Sequence, residues 1–128
     1  MYTGNKTGLC VILWGLTKVG EHFVPETLDF VVEFDLPDLA ADKPGYLSML
    51  TYDVNWDYNG IYVNDELIYN LTAYGTRQWG FDHFLIPGQF LKKGTNKFKV
   101  TSRNKSGGMD GNIDDITFRD AVLFYPVE

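Results

Sequence analysis

The sequence predicts an all-β protein: an antiparallel sandwich or barrel of about seven or eight strands joined by turns. Three observations carry this. Aromatic residues make up 16% of the chain, with Tyr 8, Phe 9 and Trp 3, and such side chains suit a pleated, half-buried surface. Glycine, 13 in all, punctuates the chain at short intervals, as turns between strands require. Apolar stretches recur at roughly ten-residue spacing, and no helical periodicity stands between them.

The first stretch, Leu9 to Leu16, follows Lys6 and faintly imitates a signal peptide. Its apolar part is short and no small-x-small cleavage site follows, so it reads as a buried first strand. The clearest alternation runs from Leu28 to Leu36, with Leu28, Phe30, Val32, Phe34 and Leu36 on one face and acids dominating the other. Pro37 ends that strand. Residues 38–43 have room for one helical turn before Pro44-Gly45 resets the chain. A strand over 46–54 follows, with Leu50, Tyr52 and Val54 expected on one side. Then Ile61 to Tyr69 forms a hairpin about the turn Asn64-Asp65-Glu66, because Asn and Asp tolerate left-handed backbone angles. After a loop over 72–80, Phe84-Leu85-Ile86 and Phe98 to Thr101 are strands, separated by Pro87-Gly88 and the Lys93-Gly94-Thr95-Asn96 turn. The last strand, Ile116 to Tyr125, slips parity between Phe118 and Ala121, which predicts a β-bulge near Arg119-Asp120.

A length of 128 residues makes this one domain, residues 1–128. No apolar run reaches the roughly 20 residues of a membrane-spanning helix. A net charge of −6 disfavours general nucleic-acid binding, which needs clustered positive charge. The single cysteine, Cys10, has no internal partner and reads as an inert buried thiol, so the compartment stays open. Charge is unevenly distributed: Glu21 to Glu66 holds eleven acids against Lys43 alone, whereas Lys92 to Lys105 holds no acid. Lys97 and Lys99 alternate with Phe98 and Val100, as on the solvent face of a strand where lysine discourages edge pairing. The alternative is head-to-tail self-association into a homo-oligomer, or the binding of an acidic polymer.

Five segments follow one another in a telling order: Tyr52-Asp53-Val54-Asn55-Trp56, the Ile61 to Ile68 hairpin, Gln78-Trp79, Phe84-Leu85-Ile86-Pro87 and Leu91 to Asn96. Together they resemble the galactose-binding-domain-like jelly rolls over about residues 46–101, and the ending from Asp114 to Tyr125 resembles that fold's last strand. Asp65 stands where the family's hairpin usually carries glycine. The resemblance narrows the fold to an antiparallel jelly-roll β-sandwich of about eight strands. It also implies the roles that fold serves: carbohydrate-binding modules, lectins, and accessory domains of glycoside hydrolases and adhesins.

Sugar recognition needs flat aromatic faces with amide, carboxylate or guanidinium groups beside them. The loop from Thr72 to Gly80 supplies Tyr74, Arg77, Gln78 and Trp79, and Trp56 and Tyr58 can join from the preceding loop. For Trp79 the alternative is a plug at the end of the core. Two acidic loops have the oxygen donors that Ca²⁺ takes: Asp53, Asn55 and Asp57 at alternate positions, and Asp110, Asn112 and Asp114 in a glycine-rich stretch. The first fails the EF-hand pattern, since Tyr58 and Asn64 stand where glycine and a bidentate acid are needed. Both loops read equally as solvated turns. No paired Cys or His suggests zinc, and no H-E-x-x-H, G-x-S-x-G or phosphate-cradling loop suggests an enzyme. The expected function is therefore non-catalytic carbohydrate binding, with a structural domain that packs only on protein partners as the other reading.

Overall fold

The computed structural model describes residues 6–21 and 24–128. Eight strands form two antiparallel four-stranded sheets packed as a sandwich. They are β1 (Lys6–Val19), β2 (Asp29–Leu36), β3 (Gly45–Tyr52), β4 (Gly60–Val63), β5 (Glu66–Asn70), β6 (Trp79–Ile86), β7 (Gly94–Thr101) and β8 (Ile116–Val127). One sheet has the order β1-β8-β3-β6 and the other β2-β7-β4-β5, so most connections cross between sheets in the jelly-roll manner. The only helical pieces among the described residues are two short 3₁₀ turns, Pro25–Thr27 and Gly88–Phe90. Residues 38–43 form turns rather than the expected helical turn, and Leu39 bridges to Val127 instead.

The period-2 segments bury the faces that their alternation dictates. Phe34 and Leu36 of β2, Phe98 and Val100 of β7, and Ile116, Phe118, Ala121, Leu123 and Tyr125 of β8 all lie in the core. The parity slip in β8 is the predicted bulge: Asp120 has φ 55°, and the β3–β8 register shifts between Ser48 and Leu50. Asp120 turns its carboxylate onto the Gly15 N–H at 3.2 Å and onto Arg119, and these contacts hold its pKa below the usual range, the Gly15 bond most. The hairpin turn places Asn64 and Asp65 at φ 50° and 69°, and β5 already begins at Glu66. Asp82, buried in β6, joins the two sheets: it accepts from the Tyr69 hydroxyl at 3.0 Å and the Thr51 hydroxyl at 3.2 Å.

Several expectations need correction. The face of β3 that is buried carries Leu47, Met49 and Thr51, while Leu50 and Tyr52 alternate outward. Asp53, at φ 64°, breaks the alternation after the strand and returns Val54 to the core. The strand around Phe84 starts five residues earlier, at Trp79. Strand β7 is interior to its sheet, so its lysines guard no edge. Lys97 pairs with Asp65 at 2.5 Å and Lys99 sits 4.4 Å above the Tyr62 ring, as side chains of a solvated face do. Strand β1 is an edge strand, not a buried one: Ile12 and Val19 face the core, but Leu9, Val11, Trp14 and Leu16 are exposed. Cys10 is half-buried beside Asp35, and desolvation, then that acid, raise its thiol pKa.

The two outer faces differ sharply. On the β2-β7-β4-β5 sheet the outward positions include Asp29, Glu33, Asp35, Lys97 and Lys99. On the β1-β8-β3-β6 sheet the register lays Leu9, Phe124, Tyr46 and Leu85 in one row. The next row holds Val11, Val122, Ser48 and His83, and a third brings Leu16, Arg119, Leu50 and Phe81 together. Tyr52 and Trp79 close the face, their ring centroids 5.0 Å apart.

Candidate functional site

Strands β1, β3, β5 and β7 all finish at the same end of the sandwich, so residues 24–28 and the loops 53–59, 71–78 and 102–115 gather there. The organising group is Asp114. Its buried carboxylate accepts from the backbone N–H of Asn55 at 2.9 Å and of Trp56 at 3.0 Å, and from the side-chain amides of Asn55 at 3.1 Å and Asn59 at 2.7 Å. A carboxylate so supplied with donors is satisfied although buried, and it fixes the 53–59 loop from across the sandwich. Asn59 passes the constraint on: its side-chain oxygen accepts from the Arg103 N–H at 3.0 Å, tying in the 102–115 loop. Ser102 donates to the Asp114 carbonyl, and Gly20, at φ +85°, leaves no room there for a Cβ.

The 71–78 loop docks by similar means. Asp53 accepts from the Arg77 N–H at 2.8 Å, and Asn55 accepts from the Thr76 hydroxyl at 2.6 Å. Arg77 holds φ 58° to make its bond, an uncommon conformation for this residue type. A polar cleft of about 360 Å³ opens between these loops, lined by Asp53, Asn55, Trp56, Thr76, Asn112 and Asp115 among others. A second, of about 310 Å³, lies beside it and is bordered by Trp56, Asn104, Lys105, Asp110 and Asn112. Trp56 and Asn112 face both. Asn104 shapes the second cleft by accepting from the N–H groups of Ser106 and Gly108 while donating to the Asp110 carbonyl.

The six aromatic and polar residues singled out in the sequence do not converge. Trp56 borders the clefts. The Tyr58 ring lies over Gly107. Tyr74 lays its ring across Gly80 and donates its hydroxyl to the Phe81 carbonyl at 2.9 Å. Arg77 and Gln78 are exposed on the loop, their main chains bonded to Asp53. Trp79 does not plug the core: it is 52% exposed, on the outer sheet face, while Gly80, Asp82, Phe84 and Ile86 point inward.

Of the six oxygen-donor residues, Asp53, Asn55, Asn112 and Asp114 line the first cleft and Asp110 borders the second, whereas Asp57 lines neither. The extended chain that would align Asp53, Asn55 and Asp57 ends at Tyr52. Among the described residues no three His, Cys, Asp or Glu side chains gather as a metal-binding group. Sequence reasoning missed Thr76 and the role of Asn59. Asn59 is wholly buried and bonded to Asp114, which depends on a pairing across 55 residues that no local pattern marks.

No protein-family model matches this chain, and no curated protein sequence matches it. Solved structures share its fold. A β-porphyranase of glycoside hydrolase family 86 from the human gut bacterium Bacteroides plebeius is similar over 96% of this chain and 21% of its own, at 13% identity and a TM-score of 0.57. BuGH86 in complex with neoagarooctaose is similar over 94% of this chain and 19% of its own, at 10% identity and a TM-score of 0.53. A family 35 carbohydrate binding module from an environmental isolate aligns with 77% of this chain and 69% of its own, at 18% identity and a TM-score of 0.48. The chain thus spans about a fifth of the two larger proteins. At such identities the likeness speaks for the fold alone, and the fold is the antiparallel jelly-roll β-sandwich of eight strands that the motif order implied.

Proposed function

We propose that this domain is a non-catalytic carbohydrate-binding module that holds glycan at its loop-bearing end, with Trp56 as the platform for the apolar face of a sugar ring. The observation that carries this reading is the position of Trp56: half-buried, its backbone pinned by Asp114, and bordering two polar clefts at once. Asn55, Thr76, Asn112 and Asp115 stand beside it with the amide, hydroxyl and carboxylate groups that sugar hydroxyls need. Because the loop is preformed, little ordering entropy opposes binding. The neighbours, a β-porphyranase and BuGH86 in complex with neoagarooctaose, make porphyran and neoagarooctaose the first ligands to try.

A glycan array followed by titration calorimetry tests the proposal. Binding of at least one oligosaccharide is expected, weakened at least tenfold by Trp56→Ala, which corresponds to about 1.4 kcal/mol. Trp79→Ala, on the other face, leaves it unchanged. An array with no bound glycan, or a Trp56→Ala variant that binds as tightly as the parent, would remove the reading. The assembly reading draws on a different observation, the apolar outer sheet face.

A further inference from the structure

We propose that the outer face of the β1-β8-β3-β6 sheet is a self-association surface, on which a second copy of this chain packs face to face about a twofold axis. The inference is independent of glycan binding, which uses the loop-bearing end.

The first ground is area. Exposure on this face runs from 37% at Tyr46 to 72% at Trp14, with Leu16 at 64%. With full side-chain areas of about 150–250 Å² for the aromatic residues, the exposed apolar surface is roughly 900 Å². That exceeds the roughly 300–600 Å² of the largest patch on a typical monomer, and it matches the about 800 Å² per partner of a stable interface.

The second ground is the state of the polar groups. The Tyr46 hydroxyl is bonded to His83 Nδ1, and Arg119 to Asp120 at 2.8 Å. What the face offers is therefore apolar, which suits a protein surface better than a hydroxyl-rich sugar. The third ground is charge. The chain carries −6, yet the carboxylate of Asp120 on this side of β8 is paired with Arg119 at 2.8 Å, and the acids of β2 lie on the opposite sheet. Two copies meeting here bring no acid against acid, and their negative surfaces stay in water.

The fourth ground points to a second copy in particular. The face is asymmetric, with β1 (Leu9, Val11, Trp14, Leu16) forming one edge and β6 (Trp79, Phe81, Leu85) the other. A twofold axis parallel to the strands keeps each row in register and lays β1 of one copy over β6 of its partner. Leu9 then meets the partner's Leu85 and Leu16 its Phe81, and Lys18, which pairs with Thr117 in the row ending at Trp79, comes over the partner's indole as a cation–π contact.

Sedimentation equilibrium of the full chain from 1 to 100 µM, with and without substitutions, tests this. The parent is expected to sediment as a dimer, and Leu16→Lys and Leu85→Lys each as a monomer with an unchanged circular dichroism spectrum. Val31→Lys, at an exposed apolar position of the opposite sheet, should remain dimeric. Either substitution that is folded suffices, so failure of one to fold leaves the other as the test. A parent that is monomeric at 100 µM, because the face is covered by another domain or another protein, would overturn the proposal. So would dimers that survive Leu16→Lys and Leu85→Lys, or that Val31→Lys alone dissociates.

Discussion

The Asn59 side-chain amide donates to the Asp114 carboxylate at 2.7 Å, joining a loop that leaves β3 to the residue that leads into β8. Both groups are buried, and each has further partners, so the pair acts as the hub from which the loop-bearing end is organised.

Asp114→Ala should therefore cost about 3 kcal/mol or more, because it strands several buried N–H groups at once. Asp114→Asn keeps one acceptor and should cost less. Urea unfolding of both variants measures the order. A loss below about 0.5 kcal/mol for alanine, the range of ordinary surface changes, would show that the loop is held by something else.

Gly80 is predicted to be irreplaceable while Tyr74 is present. A Cβ on Gly80 would sit 1.9 Å from the Tyr74 ring, so Gly80→Ala must expel that ring or shift the strand. A loss of about 1–3 kcal/mol is expected, with recovery of most of it in the Gly80→Ala/Tyr74→Ala pair. Thermal melts of the single and double variants give the coupling.

The Tyr125 hydroxyl donates to Asp38 at 2.8 Å, and this bond, with burial, pushes its pKa up from 10.0 to about 12. A raised folded-state pKa means that the protonated phenol stabilises the fold fully below pH 10, and that this contribution is lost as pH rises through about 12. Tyr125→Phe should lower stability at pH 8 and narrow its gap to the parent above pH 11, as urea midpoints across that range will show. A gap that is constant with pH would refute the assignment.

For calcium, the hydrogen bonds already made by Asp53, Asn55 and Asp114 lead us to expect the same melting temperature in EDTA and in millimolar Ca²⁺. An ion at about 100 times its Kd would add roughly 2.7 kcal/mol, a shift that differential scanning calorimetry resolves easily. A calcium-dependent rise of that order would identify the loops as an ion site.

How much could be read in advance follows the range of the interactions. The β8 bulge, the Asn64-Asp65 turn and the buried face of β2 are local matters of parity and backbone preference, and the sequence states them. The face of β3 was misread because a single left-handed residue, Asp53, reverses the parity of everything after it. The site was only half legible. Trp56 and Asp114 stand out as residue types, but their joining depends on which loops gather at one end of the sandwich. The apolar outer face does leave a trace: Leu9-Cys10-Val11-Ile12-Leu13-Trp14 is apolar at both parities, as in a strand covered on both sides, a pattern that burial in the core produces equally.

The Tyr74 hydroxyl has a consequence beyond its own loop. Strand β6 ends its sheet, and the Phe81 carbonyl that Tyr74 binds belongs to that terminal strand. An incoming β-strand from another chain would need the carbonyls along this border to extend the ladder, and here one is taken and a phenol ring stands in the way. Tyr74 thus works as a stopper against runaway sheet growth, so replacing it should reveal itself first in aggregation on storage rather than in lost ligand.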